Sequence, residues 1–413
     1  MRGAEESIRR YGWYIFIILA SAYFFVYFQR MAVGIVGRDV VAEAGGSIGI
    51  LSAAYFWTYA AMQIPSGMLS DRLGPRAASS AFLAMAAAGS FLTAAAWDFG
   101  AVVLGKMMIA AGMAVVYVPL AKSISIWFGK SEFPQLNGIV IAVGNVGAIA
   151  ASAPLDILAS SVGWRETFMV LGIASLSLAA LCAAAVRDRP PGPAGEKAAG
   201  DPPAPWAEGL RAVLSGGRRF WPVAMSYFFV YGTIMVFQGT WAKTYFGEVH
   251  GFAAGAAWLV LAIGLGKIAG TVSVGLAAGR GLAKSPRRVM LLGSACFAGV
   301  WAAVWLAGGG LQSYWIWMAA CLAFGFFGGF MTLSFTQVKE ANPDRMSGTA
   351  VSMVNFFLFL GAAACTTLTD PIIGTGYAAE SFSAVWGIMF AFSSIAVLLV
   401  YLSRERDASR GES

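Results

Sequence analysis

Runs of about 20 apolar residues, the length that carries a helix across a bilayer, recur along this chain with few charges inside them. They fall near 11–36, 47–69, 77–97, 99–128, 134–158 and 164–186, and after a break near 220–245, 252–279, 288–308, 311–336, 346–369 and 381–403. Hydrocarbon offers no partner to a backbone N–H or C=O, so each run must satisfy its own backbone as a helix. The pattern predicts an all-α membrane protein with twelve spans. Composition agrees. Only 12% of the residues are charged and 58% are hydrophobic, against about 25% charged in a soluble domain. That leaves too little polar surface to cover a globule in water. The run from Tyr11 to Val36 is too long for the apolar part of a secretory signal, and no small-residue cleavage site follows it. It reads as the first span.

The break divides the chain. Residues 187–219 include RDRPPGPAGEKAAGDPPAP and hold six of the 15 prolines. Such a stretch cannot span a bilayer and reads as a flexible cytoplasmic linker. It separates an N-terminal six-helix bundle, 1–186, from a C-terminal one, 220–413. The halves look like repeats. Tyr23-Phe-Phe-Val-Tyr27 recurs as Tyr227-Phe-Phe-Val-Tyr231, Gly138 and Asn145 match Gly348 and Asn355, and Gly67 matches Gly275. The offsets are 204, 210 and 208, and parallel six-helix repeats are a recurring transporter plan.

Net charge is +7, which in a soluble protein would suggest nucleic acid. Here membrane topology accounts for it. With an even number of spans, both termini and the loops after even-numbered helices share one side. That side holds about 22 of the 28 Lys and Arg residues, and the opposite side has only Arg38, Arg165 and Lys243. The positive-inside bias assigns the basic side, with both termini, to the cytoplasm of an inner-membrane protein. No nucleic-acid partner is needed. The cysteines, Cys182, Cys296, Cys321 and Cys365, are solitary in apolar runs and lack metal-ligand or disulfide spacing. The lone histidine, His250, reads as a loop residue and leaves little acid–base chemistry at neutral pH. There is no Ser-His-Asp set and no phosphate-binding glycine loop. No enzyme, cofactor or metal is expected.

The strongest local motif is Gly67-Met-Leu-Ser-Asp71-Arg72-Leu-Gly74-Pro75-Arg76, in the short loop after the second span. It resembles the loop 2–3 signature of the major facilitator superfamily, and the resemblance extends over nearly the whole chain: twelve spans, two halves, the linker, and a weakened copy at Gly275-Leu-Ala-Ala-Gly279-Arg280 in which Gly279 replaces the aspartate. The resemblance implies two six-helix bundles with pseudo-twofold symmetry. It also implies that Gly67, Asp71, Arg72, Gly74 and Arg76 form a conformational lock between the halves on the cytoplasmic side.

Three charges fall inside spans: Arg30, Lys106 and Lys267. Each costs roughly 2.5–3.5 kcal/mol at mid-membrane on insertion scales. No Asp or Glu lies well inside any span, since Asp98, Asp156, Glu166 and Asp370 sit at helix ends. An anionic substrate would supply the missing negative charge. Helical spacing places Tyr23, Tyr27, Arg30 and Gly34 on one face, Tyr55, Tyr59 and Gln63 on another, and groups Lys106 with Tyr117, Tyr227 and Tyr231 with Gln238, and Lys267 with Thr271. Asn145 and Asn355 sit mid-helix at matched positions. Phenol and amide groups beside a guanidinium suit a carboxylate, which arginine can hold bidentately. Competing readings stand beside these. Lys106 lies near the start of its run and could snorkel to the headgroups. Lys267 sits inside Gly266-x-x-x-Gly270, a close-packing pattern. The tyrosines could be core aromatics, and the asparagines could bridge helices.

Tyr27-Phe-Gln-Arg30, the run Tyr55 to Gly67, and Trp127-Phe128 resemble the anion:cation symporter and organophosphate:phosphate antiporter branches of that superfamily. The resemblance implies that Arg30 binds the anion and that Lys106 supports it. Two departures matter. The symporters place acids where this chain has Gln29 and about Met113, and the antiporters use a helix 7 arginine where the repeat register gives Ile234. The expectation is therefore a secondary active transporter of a small organic anion, a carboxylate ahead of a phosphate ester. It would be a monomer in membrane lipid, working by alternating access with a proton or a counter-anion. The alternative is an exporter of hydrophobic drugs or signalling molecules, which three buried bases and no buried acid disfavour.

Overall fold

The structure is a computed structural model that describes residues 2–128, 132–190, 211, 213–279, 285–342 and 344–404. Most of the stretch expected as a linker, 187–219, and Arg280 of the second motif copy lie outside those residues. The chain divides into two compact units, Met1–Pro202 and Pro203–Ser413.

The first unit holds α1 (Arg2–Ala44), α2 (Ile48–Ala94), α3 (Phe99–Val115), α4 (Tyr117–Trp127), α5 (Phe133–Ala150), α6 (Ala153–Val162) and α7 (Trp164–Ala185). Local chemistry sets the starts and breaks. Ser47 caps α2 by accepting from the Gly49 N–H at 3.1 Å. Asp98 caps α3 by accepting from the Ala101 N–H at 2.7 Å, so this acid serves a helix start. α5 and α6 form one span bent by 43°. The bend lies just before Pro154, which has no N–H to continue the ladder. α2 runs through the loop expected between the second and third spans and turns at Gly74, with φ 77° and ψ 164°. Only glycine adopts that conformation freely.

The second unit opens on a 3₁₀ turn (Gly217–Arg219) and continues through α8 (Trp221–Val236), a π-helical turn (Phe237–Trp241), α9 (Ala242–Glu248), α10 (Ala256–Gly279) and α11 (Pro286–Ala307). α12 (Tyr314–Gly329), a second 3₁₀ turn (Phe330–Thr332), α13 (Leu333–Ala341), α14 (Asp344–Ile373) and α15 (Ala379–Leu402) complete it. Along α10, Gly266 and Gly270 lie against the carbonyls of Leu322 and Phe326 on α12, where any Cβ would collide. The small-residue pattern is thus a contact between backbones. Lys267 meets Tyr231 instead.

Ten helices among the described residues are long and apolar enough to cross a membrane, and the bent pair makes an eleventh. Counted so, the first unit has five spans and the second six, and the part of α2 before Pro65, where a second span was expected, is not counted among them. Large apolar side chains cover the outside: Leu306, Trp315 and Leu292 are 79%, 77% and 62% exposed. In water such a surface would drive aggregation. In a bilayer it is the face that meets solvent.

Candidate functional site

α1 carries the central cation. Arg30 is 5% exposed, and its Nη2 donates to the Tyr59 hydroxyl at 3.1 Å. Its guanidinium carbon lies 4.6 Å from the Tyr27 ring centroid and 5.0 Å from that of Tyr59. Two aromatic faces and a phenol thus frame one fork of donors. Contacts of this kind contribute about 0.5–2 kcal/mol each when desolvated, which offsets part of the cost of holding the charge in the bundle.

The frame continues in both directions. Tyr27 meets Tyr23 at 5.3 Å, and Tyr23 meets Tyr117 of α4 at 5.4 Å. Tyr117 donates to Oδ1 of Asn137 on α5 at 2.9 Å. In the other direction Tyr59, which also shares a hydrogen bond with Gln63, stacks on Tyr55 at 5.9 Å. Tyr55 in turn lies 5.6 Å from the Lys106 ammonium, whose other face meets Phe168 of α7 at 5.0 Å. One chain of rings therefore links Tyr117, Arg30 and Lys106 within the first unit.

Lys106 does not snorkel. It is 1% exposed, and its Nζ has no hydrogen-bond partner among the described residues. The expected pairing of Lys106 with Tyr117 along one helix is not what the structure has. Val116 keeps helical angles and Phe99–Trp127 is one span, but eleven residues separate the two side chains by about 16 Å along the axis, and they meet different neighbours. Gln29 is fully buried and donates from Nε2 to the Ser90 hydroxyl at 3.2 Å. It turns away from Arg30's partners and ties α1 to the second limb of α2. Met113 is buried in α3. Asn145 is half-buried on α5.

In the second unit the Lys267 ammonium lies 5.3 Å from the Tyr231 ring, and Lys267 is half-buried. Tyr231 meets Tyr227 at 6.0 Å and Phe359 at 5.7 Å. Gln238 is buried in the π-helical turn. The wider turn breaks the 3.6-residue period between Tyr231 and Gln238, so spacing alone could not set their shared face. Asn355 is half-buried on α14.

The loop motif forms bonds within the first unit. Asp71 pairs with Lys122 of α4 at 2.9 Å. The Arg76 N–H donates to Oδ1 of Asp188 at 2.8 Å, and its Nε donates to the Ala183 carbonyl at 2.7 Å. Arg72 is exposed, and Gly67 has open space where a Cβ would stand. His250 lies in the turn after α9, a loop position as expected, but it is not on the surface. It is 5% exposed and lies in a cage of Tyr245, Trp317, Phe252 and Phe246.

Asn137, Ser90 and Phe168 belong to this arrangement and carried no sequence assignment. Asn137 had a readable signal. It precedes Gly144 by seven residues and so shares its helix face, and a Cβ at Gly144 would meet Tyr27 and Tyr23.

Residues 19–366 match the family model described as Major Facilitator Superfamily. The glycerol-3-phosphate transporter of Bacillus subtilis is 26% identical over 387 residues, 86% of this chain and 83% of that protein. The probable sulfoacetate transporter SauU of Cupriavidus necator is 24% identical over 176 residues, 42% of this chain and 41% of its own length. The probable galactarate/D-glucarate transporter GarP of Escherichia coli is 26% identical over 176 residues, 40% of this chain and 39% of its own. The matched segments thus span about two fifths of those two relatives. The fold is that of a bacterial homolog of the human lysosomal transporter Spinster, crystallised in an inward-facing, unoccupied conformation, with a TM-score of 0.72 at 17% identity over 95% of this chain and 96% of that one. With a family match across most of its length, the chain belongs to the Major Facilitator Superfamily and is a multi-pass membrane transporter, not an enzyme.

Proposed function

We propose that this transporter carries a small organic anion bearing a carboxylate, or a sulfonate of the same single charge, and that Arg30 binds the anionic group. The observation that carries the reading is the Arg30 frame. A guanidinium buried among Tyr27 and Tyr59 offers a planar fork of donors that can pair with two oxygens of one anionic group. Lys106, one aromatic pair away, adds positive potential with no hydrogen-bond acceptor of its own among the described residues. Relatives named for sulfoacetate and for galactarate and glucarate transport support a carboxylate or sulfonate cargo. Ile234, where a second arginine would suit a doubly charged phosphate ester, disfavours that class, although the relative named for glycerol-3-phosphate matches more of the chain.

The cycle is alternating access between the two units. In this reading the chain works as a monomer in the inner membrane, and the Lys and Arg bias supports both termini in the cytoplasm. With Gln29 tied to Ser90 and Met113 buried in α3, neither position offers a carboxylate to carry a proton. Exchange against a second anion, or symport in which the proton travels with the substrate, fits those side chains. The test is a thermal-unfolding screen of purified protein against mono-, di- and tricarboxylates, sulfonates, sugar acids and phosphate esters, because a specific ligand stabilises by mass action. Carboxylates or sulfonates should raise the unfolding temperature of the wild type and not of Arg30→Gln. Stabilisation only by neutral or cationic compounds, or an unchanged response in Arg30→Gln, would overturn the assignment.

A further inference from the structure

In the second unit, a cavity of about 500 Å³ opens between the 3₁₀ turn before α8, the end of α13 and the end of α15. Arg218, Arg219 and Arg404 line it, with Ser215 and Asn342, and no acid is among its lining residues. The position of Arg404 is set by its own N–H, which donates to the Arg218 carbonyl at 3.1 Å. Just below, Gln337 donates to the Ser403 hydroxyl at 3.2 Å, fixing the end of α15. Neighbouring Arg287 illustrates the usual fate of an arginine at a helix end: it donates to the Val400 and Tyr401 carbonyls. The three cavity arginines do otherwise. Among the described residues, none of their guanidinium groups has an ion pair or a side-chain hydrogen bond. Three exposed cations sharing one concave space still repel one another at short range, though water and salt screen them, and an anion with several oxygens would relieve that repulsion.

The surroundings say where such an anion comes from. The cavity lies at the end of the unit where the first span begins and the last one ends. Trp221, at the foot of α8, is 38% exposed and donates from Nε1 to the Leu214 carbonyl. Tyr401 and Leu402, at the end of α15, are 59% and 42% exposed. A tryptophan and a tyrosine at a helix end, with their rings facing outward, mark the level of lipid headgroups. Apolar side chains beside a basic cavity offer one surface for acyl chains and another for a phosphate. We propose that this cavity binds the phosphate headgroup of an anionic phospholipid, with Arg218, Arg219 and Arg404 as its ligands.

The experiment uses the full-length protein in detergent micelles doped with dioleoyl phosphatidylglycerol, with dioleoyl phosphatidylcholine, or with inorganic phosphate alone. Lipid retention is read by native mass spectrometry and unfolding temperature by intrinsic fluorescence. Phosphatidylglycerol should be retained in preference to phosphatidylcholine and should raise the unfolding temperature. The preference should fall by a factor of about five for each arginine removed, measured in Arg404→Gln and in the triple variant Arg218→Gln, Arg219→Gln, Arg404→Gln. All three positions are exposed, and the single variant keeps the measurement interpretable if the triple variant unfolds. Equal retention of both lipids by the wild type, or an unchanged preference in Arg404→Gln, would overturn the proposal. Equal, arginine-dependent stabilisation by inorganic phosphate would also overturn it, by reassigning the cavity to a soluble phosphate.

Discussion

Tyr55 and Tyr59 stack with their ring centroids 5.9 Å apart and their planes 22° from parallel, and they stand between the two buried cations of the first unit. Arg30 lies on the Tyr59 side and Lys106 on the Tyr55 side. The pair is four residues apart on one helical limb, so a single turn of α2 holds both rings. Positive charges in a medium of low dielectric repel strongly. Two ring faces with negative quadrupoles placed between them moderate that repulsion without adding a carboxylate that would compete with an anionic substrate.

The Tyr59 hydroxyl is therefore the first group to remove. Tyr59→Phe keeps the ring beside Arg30 and deletes the acceptor at 3.1 Å. Losing a partner of a buried charged donor costs about 1–3 kcal/mol. The expected outcome is a lower unfolding temperature, partly restored by a bound carboxylate that offers a replacement acceptor. Differential scanning fluorimetry with and without ligand measures both. A variant as stable as the wild type would mean that the phenol contributes nothing to holding Arg30.

Lys106 should separate stability from function. Its ammonium is buried, touches only ring faces in its cation–π contacts and lacks a hydrogen-bond acceptor among the described residues. Lys106→Met preserves most of the volume and removes the desolvated charge. Replacing buried ionic groups by apolar ones of similar shape often stabilises by about 1–4 kcal/mol. The variant should unfold at a higher temperature yet bind an anion about 2 kcal/mol more weakly, as judged by isothermal titration with the best ligand from the screen. Higher stability with undiminished affinity would remove Lys106 from the binding machinery.

Much of this could be read from the chain, and the unread parts share a cause. Apolar run length located most of the spans, because a bilayer imposes one length on all of them, while the runs expected at 47–69 and 77–97 fall within the single helix α2. The stripes at Tyr27 and Arg30, and at Tyr55 and Tyr59, hold because both lie within uninterrupted helix. Sharing a face is not sharing a place: Lys106 and Tyr117 lie about 16 Å apart along one span, and Gln238 falls in a π turn where the 3.6-residue period no longer applies. The repeat shows the same effect. Gly147 packs under the Phe24 carbonyl and Gly361 under that of Phe228. The two phenylalanines match at the offset of 204, but the two glycines are 214 apart, one helical turn beyond the 210 that aligns Asn145 with Asn355. Identity along the sequence and equivalence in packing differ by a turn, and only coordinates distinguish them.

Gly74 gives a prediction free of any assumption about substrate. Its φ of 77° and ψ of 164° lie in a region that costs other residues about 1–3 kcal/mol. An added Cβ would also stand 2.8 Å from Oδ1 of Asp188, the oxygen that accepts from the Arg76 N–H. Gly74→Ala should lower stability by that amount and displace Asp188. Asp188→Ala alone should cost about 0.5–1.5 kcal/mol for the lost hydrogen bond, and less in the Gly74→Ala background, where the bond is already disturbed. A double-mutant cycle followed by thermal unfolding measures the coupling. Strict additivity would mean that the turn and the Arg76–Asp188 bond are independent.

His250 supplies the pH dependence. It follows α9 outside the membrane-spanning segments, in contact with Tyr245, Trp317 and Phe252. Burial in that cage, where neither ring nitrogen has a hydrogen-bond partner among the described residues, pushes its pKa below the ordinary value of 6.5. The native state therefore favours neutral imidazole. In the unfolded chain the ring takes up a proton as the pH drops through about 6.5, while the folded ring resists until the pH reaches its lower value. Between those two points the unfolded state binds more protons, so stability falls as pH falls. Above pH 6.5 the ring is neutral in both states and contributes no slope. Unfolding temperature measured from pH 7.5 to 5 should decline for the wild type, and His250→Phe, which keeps an aromatic ring in the cage, should flatten that part of the curve. An equal decline in both proteins would assign the pH dependence to other groups and leave His250 as a packing residue.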